Sequence, residues 1–337
     1  MADKVIKKGI INILVAVIAL LILLSPLVAD DYLLGVLITI LTSAYLAQCW
    51  NLMSGYAGQF SFGHAAFFGL GAYTSSLLYV DFGISPILGM FAGAAVAAVV
   101  GLIIGFLSFR YKLKGDYFAL ATLAFAEILR VLFNNTPALK AAVGITIPYV
   151  DNWKVFQFGD RKIYFYTAFV MVAGITYFLY RMQKTKMGLY FIAIRENEDA
   201  GNALGIDTFK YKLIALTLSA VLTALAGTFY AQYYLFIDPS IVFNSTISVG
   251  AIAPCIIGGV GTILGPVLGA FILTPISELT NTYFASFSGM NMVIYGAILI
   301  SVIIFLPNGV MGIFNKNKSK RKLNLNIKLK SNLKQIQ

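Results

Sequence analysis

Charge is scarce in this chain of 337 residues: only 12% of them are Asp, Glu, Lys or Arg, about half the usual share in a soluble domain. That is too little polar surface to clothe a water-facing globule. Histidine occurs once, as His64, and one imidazole cannot supply the several ligands of a zinc site. Cysteine occurs twice, as Cys49 and Cys255, each inside an apolar stretch and without CxxC spacing. A disulfide framework or thiolate metal site is therefore not indicated. An enzyme would need a convergent nucleophile, acid or metal, and scattered carboxylates with one histidine offer little. No catalytic residue is expected. No glycine-rich stretch ends in Gly-Lys-Ser/Thr, so the chain is not expected to bind ATP through a phosphate loop.

What is abundant is apolar surface: 59% of residues are hydrophobic and the mean hydropathy is +0.83. A helix crossing a bilayer needs about 20 mostly apolar residues. Runs of that kind fall near residues 10–29, 33–53, 60–80, 86–109, 117–134, 163–181, 213–236, 247–283 and 290–307. The run at 247–283 is too long for one helix and is broken by Gly258-Gly259-Val260-Gly261 through Gly265-Pro266, a cluster of strong helix breakers. The fold class expected is all-α, a polytopic transmembrane bundle of about eight to ten spans with glycine-broken helices. Lys4, Lys7 and Lys8 before the first run would also suit a signal peptide; an uncleaved first helix is the preferred reading.

The net charge of +11 would suggest nucleic acid in a soluble protein, but here its distribution matters more. With the N-terminus inside, ten crossings place residues 1–9, 109–116, 181–212 and 308–337 on one side, and these hold 20 of the 25 basic residues. That asymmetry marks the cytoplasmic side, so both termini are expected in the cytoplasm and nucleic acid is not expected as a partner. Residues 1–314 read as one transmembrane domain with an internal polar loop at 181–212. Residues 315–337 form a Lys- and Asn-rich tail suited to anionic lipid headgroups.

Several residues are more polar than a lipid-facing helix requires. Glu127 and Arg130 stand three apart, on one helical face, as either an internal ion pair or part of a solute path. Glu278 is a similar intramembrane acid. The stretch from Trp50 to His64 contains Gly55, Gly58, Gln59, Ser61 and Gly63 where a helix should continue. Such breaks suit either a tight glycine-mediated packing turn or a transporter's substrate path. Gly55, Gln59, Ser61, His64 and Glu127 are the candidates for a translocation path. From Arg195 through Glu196, Asn197, Glu198, Ala200, Leu204 and Gly205 the chain is polar, with Ala193, Ile194, Ala200, Ala203 and Leu204 on one side of a short amphipathic helix. Gly205 is its expected stop. Mixed charge argues for protein docking rather than adsorption to anionic lipid.

These pieces together resemble the LivM-like branched-chain amino acid ABC transporter permeases. The likeness rests on Trp50-Asn51-Leu52, Gly55-Tyr56-Ala57-Gly58-Gln59-Phe60-Ser61-Phe62-Gly63-His64-Ala65-Ala66-Phe67, Leu113-Lys114-Gly115-Asp116-Tyr117-Phe118-Ala119, Ala193-Ile194-Arg195-Glu196-Asn197-Glu198 with Leu204-Gly205-Ile206, and Gly258-Gly259-Val260-Gly261-Thr262 with Gly265-Pro266. The resemblance implies a permease subunit in a bacterial inner membrane, beside a LivH-like sister permease, two ATPase subunits and a soluble binding protein. The family's coupling segment would fall on Arg195 to Ile206. ATP would be hydrolysed by the partner subunits, and no cofactor would be bound by this chain. The sequence departs from the family after the fifth run, where Thr136-Pro137-Ala138-Leu139-Lys140-Ala141-Ala142-Val143 replaces a Thr-Gly-Gly stretch and only Gly144-Ile145 is familiar. A urea or short-amide permease is the near alternative; an ion-driven transporter using Glu127 and a passive channel are the rival classes.

Overall fold

The computed structural model describes residues 22–283, 289–306 and 309–312. The main helices are α1 (Asp31–Trp50), α2 (His64–Phe82), α3 (Pro86–Arg110), α4 (Asp116–Asn135), α5 (Arg161–Met182), α6 (Lys186–Glu196), α7 (Glu198–Ala203), α8 (Thr208–Tyr234), α9 (Ser245–Gly258), α10 (Gly265–Tyr283) and α11 (Met290–Phe305). Their starts are written in local chemistry. Asp30, Asp160 and Asp207 each accept a hydrogen bond from a first-turn N–H, those of Leu33, Lys162 and Lys210, which satisfies a donor the helix itself cannot. Ser85 caps α3, and Pro86 begins it with a fixed φ and no N–H to lose.

The bundle is organised around α1 and α8. The first packs against α5, α9 and α10, the second against α2 and α3, and the two touch each other. Among membrane helices close approach comes from small residues rather than from apolar bulk. On α8, Ala220, Ala224, Gly227 and Ala231 form the buried row. At Gly227 the backbone of α2 comes so near that a Cβ would collide with the carbonyl oxygen of Phe68. One continuous apolar core, from Leu34 to Ala270, runs through the bundle.

Six helical stretches among the described residues are long and apolar enough to cross a membrane: Asp31–Tyr56, Pro86–Arg110, Arg161–Met182, Thr208–Tyr234, Pro239–Gly258 and Val293–Gly312. Helices α2, α4 and α10 have 19, 20 and 19 residues, or about 28–30 Å at 1.5 Å per residue. They miss that class through composition rather than length. Every residue from His64 to Tyr73 in α2 is buried, and a helix shielded by its neighbours has no need to be apolar. Each apolar run expected from residue 33 onward coincides with a helix, and the long one breaks between Gly258 and Gly265. Most of the 10–29 run and the whole 315–337 tail lie outside the described residues.

Residues 110–116 and 182–212 gather at one end, the basic end. At the opposite end a two-stranded ladder pairs β1 (Ile145–Thr146) with β2 (Phe236–Ile237) antiparallel, and Lys140 pairs with Asp81 at 2.9 Å. The Thr136–Ile145 departure from the family pattern therefore forms an ordered connection here. A Gly227→Leu substitution should force α2 and α8 apart and destabilise the bundle by about 1–3 kcal/mol, as overpacking does; thermal unfolding in detergent measures it.

Candidate functional site

The two glycine-rich interruptions meet. After Trp50 the backbone winds into a wider π turn, Asn51–Tyr56, before bending at residues 57–63 into α2. Turns of this kind free backbone groups that must find partners elsewhere. For the second break Asn51 supplies two: its Oδ1 accepts from the Gly261 N–H at 2.8 Å and its Nδ2 donates to the Thr262 carbonyl at 2.8 Å. A fully buried amide thus fastens the first break to the second. Trp50 Nε1 donates to the Ser61 carbonyl at 2.8 Å, and the Ser54 hydroxyl donates to the Gln59 carbonyl at 2.9 Å. His64 Nε2 lies 2.9 Å from the hydroxyl of Ser219, which itself donates to the Cys49 carbonyl at 2.7 Å. Since that hydroxyl proton is spent on Cys49, Nε2 is the donor in the histidine contact.

The polar segment sits beneath this joint at the basic end. It is not the single amphipathic helix expected. Asn197 takes an extended backbone between α6 and α7 and caps α7 by accepting from the Ala200 N–H at 2.9 Å. Gly205, at φ +83°, ends the turn as expected. The expected apolar side is also split. Ile194 is buried, whereas Ala200, Ala203 and Leu204 face outward, Leu204 with 82% of its surface exposed. The reason is the kink at Asn197, which turns α7 so that Gly201 faces the bundle.

Charges hold α7 in place. Glu198 Oε1 accepts from Lys212 Nζ at 2.6 Å, and its Oε2 lies 3.4 Å from Lys114 Nζ, which is also 3.6 Å from Asp199. Thr208 Oγ1 donates to Asn202 Oδ1 at 2.9 Å. Lys212 is only 3% exposed and its ammonium also lies 4.9 Å from the centre of the Phe109 ring. Burial pushes the Glu198 carboxyl up, but the hydrogen bond from Lys212 and the charges of Lys212 and Lys114 outweigh it and hold the group below its ordinary value.

The five path candidates divide. Gly55, Gln59, Ser61 and His64 are buried in the joint. Glu127 lies on the exposed side of α4, its side chain 53% exposed and its carboxylate gripped by the Arg130 guanidinium, with Nε 3.0 and 2.9 Å from the two oxygens. None of the five lines the cavity of about 170 Å³ that opens between α1, α8 and α9. Its walls are Ile38, Leu46, Phe229 and Tyr230 among others, with the hydroxyl-bearing Thr39 and Thr42.

A family model for the branched-chain amino acid transport system permease component matches residues 32–303, an interval that takes in both breaks and the polar segment. The chain belongs to this family. The LivM permease protein of the high-affinity branched-chain amino acid transport system of Escherichia coli is 30% identical over 290 residues, covering 77% of this chain and 65% of its own length. The chain thus spans just under two thirds of that relative. A probable LivH permease of Methanocaldococcus jannaschii is 29% identical over 256 residues, 72% of this chain and 80% of its own. The LivH of Escherichia coli is 23% identical over 289 residues, 80% and 91% respectively. No solved structure matches.

Three residues to which the sequence assigned no role of their own prove central. Asn51 and Lys114 stood within the stretches that carry the family resemblance, and Lys212 only as a positive charge on one side. The pairing of Lys114 and Lys212 with Glu198 joins the α3–α4 loop, α7 and α8, which no local pattern reveals. Because the Glu198 carboxyl titrates below its ordinary value, its clamp stabilises the fold above that ordinary value, 4.5, and the contribution is lost as pH falls through the lowered one. Glu198→Gln should therefore unfold at a lower temperature than wild type at neutral pH, since it strands the Lys212 ammonium. The two unfolding temperatures should converge only once the pH falls below the lowered value of the Glu198 carboxyl, where the wild-type side chain is itself neutral; a pH series of thermal melts checks this.

Proposed function

We propose that this chain is the membrane-spanning permease subunit of an ABC importer for branched-chain or other hydrophobic amino acids, driven by separate ATPase subunits. The observation that carries the proposal is the build of α7: a short helix clamped to α8 and the α3–α4 loop by Glu198, Lys212 and Lys114, with Ala200, Ala203 and Leu204 left bare on its outer side. A firmly anchored element with an uncovered apolar tip suits a partner that pushes on it. The basic end then faces the cytoplasm, in keeping with the positive-inside asymmetry, in a bacterial inner membrane. Both termini are cytoplasmic in this arrangement. ATP hydrolysis belongs to the partners, and a soluble binding protein delivers solute to the opposite end.

A sister permease of the LivH kind would cover the outer side of α4. An exposed ion pair such as Glu127–Arg130 midway along a spanning helix is expensive against lipid, which favours protein or a water-filled path there. The mutual grip of the two charges argues against Glu127 as a free proton or cation site. The cavity between α1, α8 and α9, with aliphatic and aromatic walls, suits an aliphatic side chain better than urea. Solute and ATPase would be linked by alternating access, each state differing in its contacts with the docking segment.

The test is uptake of radiolabelled leucine into proteoliposomes holding this chain, its sister permease, the ATPases and the binding protein. Wild type should require ATP, and Glu198→Lys, which sets a third cation beside Lys114 and Lys212, should lower uptake by about tenfold or more at equal expression. Uptake of urea but not leucine would change the substrate and keep the architecture; flux without ATP would overturn the proposal. Gly250 lines the cavity and has open space where a Cβ would stand. Gly250→Leu should therefore fold normally yet reduce leucine uptake, a result read in the same assay beside a thermal melt.

A further inference from the structure

Arg195 occupies a singular position. It lies at the end of α6, one residue before Glu196 and two before the extended Asn197, and so belongs to the cytoplasmic element while its side chain reaches the membrane-embedded joint. Its Nη1 donates to the Gly55 carbonyl at 2.9 Å, a backbone oxygen of the π turn. The first break closes around its stem: at Gly58, which has φ +71°, a Cβ would stand 2.9 Å from both Cα and Cγ of Arg195. The second break closes around its head: at Gly261, with φ +75°, a Cβ would collide with Nη1. The outer edge of the guanidinium is held by Glu196, whose Oε1 accepts from Nη2 at 2.7 Å and from Nε at 3.2 Å.

One planar cation therefore touches the polar segment, the first break and the second break, and Asn51 already ties the two breaks to each other. Both glycines have left-handed backbones that other residues adopt only with strain, so the cradle is specific to its occupant. Displacement of α6 along the membrane normal cannot leave this joint unmoved while the Arg195–Gly55 bond persists. A π turn is a place where backbone bonding can shift register at low cost, which makes it a suitable hinge for such a displacement.

We propose that Arg195 is the positioning residue that transmits movement of the ATPase-contacting segment to the paired helix breaks, so that cytoplasmic motion is converted into rearrangement of α1, α2, α9 and α10. This rests on reading the segment around residues 195–205 as the ATPase contact. The clamp at Glu198 holds α7 to the bundle; Arg195 carries the displacement inward. Lysine cannot replace it fully, since a single ammonium lacks the fork that serves Gly55 and Glu196 together.

The experiment uses the reconstituted full complex and reads leucine uptake and ATP hydrolysis in the same vesicles, with assembly checked by co-purification. Arg195→Ala should lower the solute carried per ATP hydrolysed by about tenfold, with Arg195→Lys intermediate because it retains the stem against Gly58 and the charge. If Arg195→Ala fails to assemble, the lysine variant alone decides, by the same ratio. Unchanged solute per ATP in an assembled variant overturns the inference, as does a parallel fall of uptake and hydrolysis that leaves the ratio intact. If wild type itself shows no ATP-dependent uptake, it is the importer reading that fails, and the two failures are thereby separated.

Discussion

Asn51 stands in the first of two interrupted helices, and its amide meets the needs of the second, accepting from the Gly261 N–H and donating to the Thr262 carbonyl. In a hydrocarbon setting every freed backbone group must be satisfied by protein, so helix breaks are possible only where such a partner exists. The tertiary arrangement follows from this condition. The π turn after α1, the bend into α2 and the α9–α10 turn are held together, and the Gly55 carbonyl remains available for Arg195. A fold with the same helices but without this amide would have to close the breaks or leave polar backbone bare.

The basic end has a different physics. There the interactions are ionic and partly open to water, and their strength depends on burial. Lys212 is almost wholly enclosed, so the Glu198–Lys212 contact resembles a buried pair whose halves depend on one another. Lys114 and Asp199 are exposed and contribute as weakly as surface charges do. Anchoring is therefore concentrated at one carboxylate, while the outer side of α7 is left with short apolar groups and Leu204. That bare outer side is the face on which the proposed ATPase contact rests.

Much of this was legible beforehand. The apolar runs located the helices from residue 33 onward, and the glycine clusters located both breaks, because hydropathy and backbone freedom act over a few residues and leave local marks. The polar segment at 195–205 was recognisable from its mixed charge. The direction of its side chains was not, since the extended Asn197 turns α7 and reverses which of its residues face inward. The path candidates illustrate the same limit. His64 and Ser61 look like polar residues in need of water, yet each finds a partner inside the joint, Ser219 at His64 Nε2 and the Gly63 N–H at Ser61 Oγ. Glu127 looked like an interior acid and instead lies on an outer side of α4, paired within its own helix to Arg130.

That the chain is a membrane bundle, where its helices run and break, and which end is basic are all written in the residues themselves, because each depends on composition and on contacts within a turn or two. That Asn51 ties one break to the other, that Arg195 seats between them, and that Glu198 closes on Lys212 and Lys114 emerges only in the packed bundle. Those contacts join residues from 14 to 211 positions apart, and which of many equivalent polar groups meet is settled by the packing of α1, α8 and their neighbours.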